Sequence, residues 1–82
     1  NTIGGNNLIN LKNIKNIHCI GIGGVGLSAI AHILMSQGFT VSGSDMNSSE
    51  IVDRLKAAGA VVYSTHEKSN VENIDLIVNA VF

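Results

Sequence analysis

Apolar and polar positions divide this chain into short apolar runs separated by longer stretches with helical spacing. The apolar runs predict four strands, at residues 17–22, 40–44, 60–64 and 75–81. Apolar residues three or four apart predict two helices between them, at residues 25–37 and 49–58. The stretch 65–74 is polar and has room for one helical turn. Strands and helices therefore alternate along most of the chain.

The two helices present different apolar patterns. In the first helix, a broad apolar face is predicted to consist of Val25, Ala29, Ile30, Ile33 and Leu34. The opposite side is predicted to be polar and carries Ser28, His32 and Ser36. The second helix is expected to face the core through Ile51, Val52, Leu55 and Ala58. Gly38 and Gly59 follow the two helices, where a left-handed glycine commonly ends a helix.

This alternation predicts an α/β fold, in which right-handed connections join the strands of a parallel sheet. A Rossmann-like arrangement has the strand order 3-2-1-4 with flanking helices. The glycine-rich turn after the first strand then lies at the carboxyl edge of the sheet, beside the switch point between strands 1 and 4. We predict one Rossmann-like domain at residues 17–82, preceded by a weakly structured, asparagine-rich leader at residues 1–16.

Composition and charge narrow the range of functions. The net charge is −1 and the five basic residues are scattered, which disfavours nucleic-acid binding through a basic patch. No apolar run approaches the roughly 18 residues that span a membrane. The lone Cys19 cannot form an internal disulfide, and we expect a cytoplasmic setting. Because the sequence starts at Asn1 without Met and ends just after a strand-like run, we expect a fragment of a longer protein.

The turn after the first strand carries the pattern G-x-G-x-x-G at Gly21, Gly23 and Gly26, with Gly24 as a fourth glycine. In such a turn the first glycine allows a tight bend and the second lets the backbone approach a ligand. The third lets the helix pack closely against the strand. Unpaired N–H groups at the start of the following helix attract anions. The turn therefore predicts a phosphate-binding loop.

Three polar residues near the same sheet edge are candidates for contacts with the rest of a nucleotide. Asp45 lies 19 residues beyond Gly26, at the end of the second strand, where an acid accepts hydrogen bonds from ribose hydroxyls. Ser44 offers a hydroxyl to the same ligand, and His66 can hydrogen-bond or stack on a base. The alternatives are that Asp45 only begins a turn and that His66 is solvated. His18, inside the first strand, is interpreted as a packing residue.

Residues for a chemical step are missing from these motifs. The sequence contains no G-x-x-x-x-G-K-[ST] loop, no cluster with metal-ligand spacing and no nucleophile with an evident base. We therefore predict binding, without a catalytic residue or a bound metal. Three interpretations remain open here: a sugar-nucleotide domain, an NAD(P)- or adenine-nucleotide-binding redox or regulatory domain, and a scaffold whose turn binds nothing.

A resemblance favours the first interpretation. Residues 17–31 read IHCIGIGGVGLSAIA and closely resemble the opening of the Mur ligases, typically I-H-F-I-G-I-G-G-x-G-M-S-G-I-A. Residues 41–45 read VSGSD, as in that family, and His66 lies where the family has Gly-His. The resemblance covers about residues 14–78. The chain departs from it at residues 78–82, VNAVF, where the family reads roughly V-Y-S-S-A-I.

The resemblance implies that this domain holds the UDP portion of UDP-N-acetylmuramate, in the ligases that add L-alanine to it during peptidoglycan synthesis. Backbone N–H groups of residues 23–26 would bind the diphosphate, Asp45 would lie toward the uridine and His66 near the uracil. ATP and Mg²⁺ would bind to other domains of the parent enzyme, so this fragment alone is expected to be inactive. The predicted substrate-binding residues are Gly21, Gly23, Gly24, Val25, Gly26, Leu27, Ser44, Asp45 and His66.

Overall fold

The computed structural model describes residues 13–79. Its strands are β1 (Asn16–Ile20), β2 (Thr40–Ser44), β3 (Val61–Tyr63) and β4 (Leu76–Asn79). Its helices are α1 (Val25–Ser36), α2 (Glu50–Ala58) and a short 3₁₀ helix (Lys68–Val71). The strands form one parallel sheet in the order β3-β2-β1-β4, so the predicted α/β fold class and strand order are confirmed.

The first strand is displaced from its predicted range. β1 begins at Asn16, within the predicted leader, and ends at Ile20 rather than at Ile22. The chain leaves the strand at Gly21, whose φ of +79° is left-handed. Ile22 is completely buried in the turn that follows, which explains why the apolar run resembled a longer strand.

The predicted leader and the predicted fourth strand both extend beyond the described residues. The first twelve residues of the leader and positions 80–81 of the predicted fourth strand lie outside them. Within them, Asp75 ties the start of β4 to the residues around the start of β1. Its Oδ2 accepts hydrogen bonds from the N–H groups of Lys15 and Asn16, each at 2.9 Å.

The core lies between the sheet and the two α-helices. Successive right-handed connections from β1 to β2 and from β2 to β3 place α1 and α2 on the same face of the sheet, where they contact each other. The buried cluster consists of Ile17, Cys19, Ile22, Leu27, Ala31, Val41, Leu55 and Ala60. Among the described residues, no helix is both long and apolar enough to cross a membrane.

The predicted apolar face of α1 is wrong as a core face at four of its five residues, because only Leu34 packs against the buried cluster. Its buried residues are Leu27, Ser28 and Ala31, whereas Val25 is 79% and Ile33 58% exposed. Since α1 is apolar on nearly every side, its periodicity did not select one face. The buried Ser28 hydroxyl is satisfied by donating to the Val25 carbonyl at 3.0 Å.

The predicted packing of α2 agrees with the structure at its two buried residues, Val52 and Leu55. Ser49 caps the helix, because its hydroxyl accepts the Val52 N–H at 3.2 Å. Gly59 ends it with a φ of +115°, and Gly38 follows α1 with a φ of +96°. Both glycines therefore have the left-handed conformation that the sequence predicted.

Candidate functional site

The turn between β1 and α1 folds onto the carboxyl end of β2. The N–H groups of Gly21 and Ile22 both donate to the carbonyl oxygen of Ser44, at 2.7 Å and 3.1 Å. The Gly24 N–H donates to the Gly21 carbonyl at 3.0 Å. The turn therefore has one internal hydrogen bond and two hydrogen bonds to the neighbouring strand, β2.

The start of α1 leaves three N–H groups without partners. Gly24 is the N-cap and has no side chain to cap the helix. The Ser28 N–H makes the first helical bond, to the Gly24 carbonyl at 2.8 Å. The N–H groups of Val25, Gly26 and Leu27 have no hydrogen-bond partner within residues 13–79. Together they represent about half a positive charge at an exposed helix end.

Asp45 connects this turn to the ends of β2 and β3. Its Oδ2 accepts the Gly23 N–H at 2.8 Å, and its Oδ1 accepts the Asn47 N–H at 2.9 Å. Its own N–H donates to the Tyr63 carbonyl at 3.0 Å. The carboxylate therefore has one backbone donor on each oxygen, and each oxygen retains capacity for another donor.

This contact explains why residue 23 is a glycine. A Cβ atom there would lie 2.7 Å from Asp45 Oδ2 and 3.0 Å from Val52 Cγ2. The group that lies close to the Gly23 backbone is thus the Asp45 carboxylate of the same chain, where the sequence predicted a ligand. At Gly26 a Cβ atom would meet nothing within 4 Å, so the predicted tight packing of helix against strand at Gly26 is wrong.

Gly43 is a structural requirement of the site that sequence reasoning missed. A Cβ atom there would lie 2.5 Å from Ile22 Cδ1 and 2.8 Å from the Cys19 carbonyl oxygen. Ile22 therefore crosses directly over β2, which brings the turn within reach of the Ser44 carbonyl. A glycine inside a predicted strand indicates such a close approach.

Ser44 and His66 contact each other. The Ser44 hydroxyl and Nδ1 of His66 are 2.5 Å apart, and Ser44 is buried. The Ser44 hydroxyl is therefore engaged within the chain, while His66 is exposed. Contacts of either residue with a ligand remain predictions.

A second serine–histidine pair lies beside the first. Nδ1 of His18 is 2.9 Å from the Ser42 hydroxyl, and His18 is 1% exposed. Burial, with a smaller contribution from the nearby His66, lowers the pKa of His18. These contacts agree with the interpretation of His18 as a satisfied packing residue.

Seven of the nine predicted site residues line three separate cavities, and Gly21 and Gly23 line none of them. Asp45 lines a cavity of about 410 Å³ with Asn47, Lys56 and Tyr63 among its neighbours. Ser44 and His66 line another of about 240 Å³. Residues 24–27 border a third, of about 500 Å³, which is lined mainly by apolar atoms.

The family model described as "Mur ligase family, catalytic domain" matches residues 16–82. This chain belongs to the Mur ligase family. The resemblance seen in the glycine turn and in residues 41–45 is thus confirmed.

Individual Mur ligases show the same similarity. Over 59 residues the chain is 52% identical to the UDP-N-acetylmuramate–L-alanine ligase of Clostridium acetobutylicum and 56% identical to that of Clostridium botulinum strain Okra. Each match covers 72% of this chain and 13% of the relative. The crystal structure of a murein peptide ligase Mpl from Psychrobacter arcticus superposes with a TM-score of 0.75 at 28% identity, over 79% of this chain and 14% of that one.

These Mur ligase matches involve a small part of each relative, so they identify the family of this domain rather than its reaction. Within residues 13–79, no group of three or more histidine, cysteine, aspartate or glutamate side chains is placed to hold a metal ion. Cys19 is buried, which raises the pKa of its thiol. What the described part of this Mur ligase chain does offer is a set of unpaired backbone donors at the start of α1, close to the hydrogen-bonded carboxylate of Asp45.

Proposed function

We propose that this domain holds the nucleotide end of UDP-N-acetylmuramate in a UDP-N-acetylmuramate–L-alanine ligase. One observation carries the proposal: the unpaired N–H groups of Val25, Gly26 and Leu27 at the uncapped start of α1. Sequence identity of 52% and 56% over 59 residues to two ligases named for this substrate supports the choice of a UDP-sugar.

The diphosphate is assigned to residues 25–27 rather than to residues 23–26. The Gly23 and Gly24 N–H groups already donate to Asp45 and to the Gly21 carbonyl. The next three N–H groups point out of the helix end, which is the usual position for a bound phosphate. An anion at an exposed helix end gains about 0.3–1 kcal/mol from the dipole, so the isolated domain should bind weakly.

The uridine is assigned to the ends of β2 and β3. The carboxylate of Asp45 lines an open cavity and can accept a ribose hydroxyl while it holds the Gly23 N–H. His66 uses Nδ1 for Ser44, which leaves Nε2 and the ring face for the uracil. The role of Ser44 in this arrangement is to hold His66.

The chemical step belongs to the full-length ligase. There, ATP with Mg²⁺ would convert the muramoyl carboxylate to an acyl phosphate, and the L-alanine amine would displace phosphate to form the amide. The sequence of this chain contains no ATP-binding G-x-x-x-x-G-K-[ST] loop. Its own contribution would be to orient the sugar nucleotide, and we expect it to be inactive alone. A cytoplasmic setting and a role in peptidoglycan synthesis go with this proposal.

Competition between UDP-N-acetylmuramate and NADH tests the proposal. Both ligands fit a glycine turn followed by an acid, so their relative affinity separates a Mur-type site from a redox or regulatory one. We expect saturable binding of UDP-N-acetylmuramate that NADH does not displace. Tighter binding of NADH, or no binding of the UDP-sugar at millimolar concentration, would contradict the assignment.

A further inference from the structure

We propose that Asp45 is a positioning residue, whose carboxylate holds the glycine turn in the conformation that binds the diphosphate. This inference rests on the proposed function. It assigns Asp45 a task that is separate from any contact with ribose and is performed before a ligand arrives.

The carboxylate is itself fixed in place. Its Oδ1 accepts the Asn47 N–H at 2.9 Å, and the Asp45 N–H donates to the Tyr63 carbonyl at 3.0 Å. Tyr63 belongs to β3, on the side of β2 away from β1. Oδ2, the other carboxylate oxygen, is therefore held in position beside the turn. Its hydrogen bond from the Gly23 N–H defines where residue 23 lies.

Residue 23 immediately precedes the N-cap of α1, so its position sets the start of the helix. The space between the two partners is full, since a Cβ atom on Gly23 would lie 2.7 Å from Oδ2. The Asp45 carboxylate thus occupies the position that a side chain at residue 23 would need. Loss of the carboxylate would leave the Gly23 N–H unpaired and the turn free to shift.

Three interpretations of Asp45 predict different changes in the affinity for inorganic pyrophosphate when the Asp45 side chain is removed. Pyrophosphate is informative because it has no ribose. If Asp45 acts only through its charge, its removal strengthens anion binding, because a carboxylate repels an anion. If it contacts only ribose, pyrophosphate affinity stays unchanged. If it positions the turn, its removal weakens pyrophosphate binding despite the loss of a repulsive charge.

The test is a pyrophosphate titration of the 82-residue chain and two variants, with Asp45→Ala and Asp45→Asn compared at constant ionic strength. We expect Asp45→Ala to bind at least about fivefold more weakly, as befits loss of a hydrogen bond to a charged group. Asp45→Asn should lose less affinity than Asp45→Ala, because its one amide oxygen can still accept the Gly23 N–H while its amide NH2 can no longer accept the Asn47 N–H. Equal or tighter binding by Asp45→Ala would overturn the inference.

A second measurement needs no ligand. Amide hydrogen exchange at Gly23 should be slow in the original chain, faster by about tenfold or more in Asp45→Ala, and intermediate in Asp45→Asn, which keeps one acceptor oxygen. Equal exchange in all three would refute the positioning role, even if pyrophosphate binds. Absence of UDP-sugar binding by the original chain would instead contradict the proposed function, so the two failures are distinguishable.

The partner residue provides a check should Asp45→Ala fold poorly. Gly23→Ala places a Cβ atom against Oδ2 and should disturb the same contact from the other side. We expect it to weaken pyrophosphate binding in the original chain and in the Asp45→Asn background, where an atom of the same size still stands at the Oδ2 position, and to weaken it less in the Asp45→Ala background. Full additivity in the Asp45→Ala background would mean that the two residues act independently.

Discussion

The Gly23 N–H donates a hydrogen bond of 2.8 Å to Oδ2 of Asp45, a residue that follows a different strand. This bond joins the turn after β1 to the end of β2 at the edge of the sheet where we assign the nucleotide. It also removes the Gly23 N–H from the donors that can serve a phosphate. The donors left for an anion are those of the first helical turn.

Replacement of Val25 with proline tests those donors. Proline lacks an N–H but fits the first position of a helix, and Gly24, with φ −66° and ψ 148°, has the extended conformation that a residue before proline prefers. We expect Val25→Pro to weaken UDP-N-acetylmuramate binding about two- to fivefold while the fold is retained. Val25→Ala, which keeps the N–H, is the matched control for loss of the exposed side chain. Equal affinities of the two variants for UDP-N-acetylmuramate would exclude the Val25 N–H as a donor to the diphosphate.

The packing of α1 gives a prediction about stability. Leu27 is 5% exposed and Ile33 is 58% exposed, although the sequence pattern assigned Ile33 to the core. Leu27→Ala should lower the free energy of unfolding by about 2–5 kcal/mol, as buried leucines do. Ile33→Ala should lower it by less than about 1 kcal/mol. Urea denaturation of both variants checks this ranking, and the reverse order would support the face expected from periodicity.

Two glycine-to-alanine substitutions should have opposite effects. Gly43→Ala forces a Cβ atom against Ile22 and should destabilise the fold by about 1–3 kcal/mol. Gly26→Ala meets open space within a helix and should stabilise it by about 0.5–1 kcal/mol. Thermal unfolding of the pair measures both effects. A neutral Gly43→Ala would show that Ile22 does not cross β2 as closely as described.

The acid dependence of stability should reflect Asp75. Hydrogen bonds from the Asn16 and Lys15 N–H groups lower the pKa of this carboxyl from 3.8. Because the folded state prefers the ionised form, its stabilising contribution is present above the unfolded pKa and disappears as pH falls through the lowered pKa. We expect the stability difference between the original chain and Asp75→Ala to narrow progressively below about pH 4. A difference that stays constant from pH 6 to pH 2 would contradict this linkage.

The elements that the sequence predicted well are those fixed by local pattern. Ser49 and Gly59 mark the ends of α2, and the alternation of apolar runs with helices implied the strand order. The contacts within the site were harder to predict. The Gly23–Asp45 and Ser44–His66 bonds each join residues 22 positions apart, so they depend on how turns from different strands meet in space.

Prediction of the buried side of α1 failed for a different reason. Val25, Ile30 and Ile33 are as apolar as Leu27, so hydrophobicity alone does not distinguish the faces. Residue size does not distinguish them either, since Ala29 is exposed while Ala31 and the larger Leu27 are buried. The orientation of α1 on the sheet decides, and the pattern within one helix does not specify it.

The most direct test of the account is an amide-shift map of the 82-residue chain titrated with UDP-N-acetylmuramate. If the diphosphate lies on the start of α1, the amide protons of Val25, Gly26 and Leu27 should show the largest saturable downfield shifts. Gly24, whose N–H remains bonded to the Gly21 carbonyl, should respond less. Saturable shifts that leave residues 25–27 unaffected, or no saturable shifts at all, would contradict the central claim.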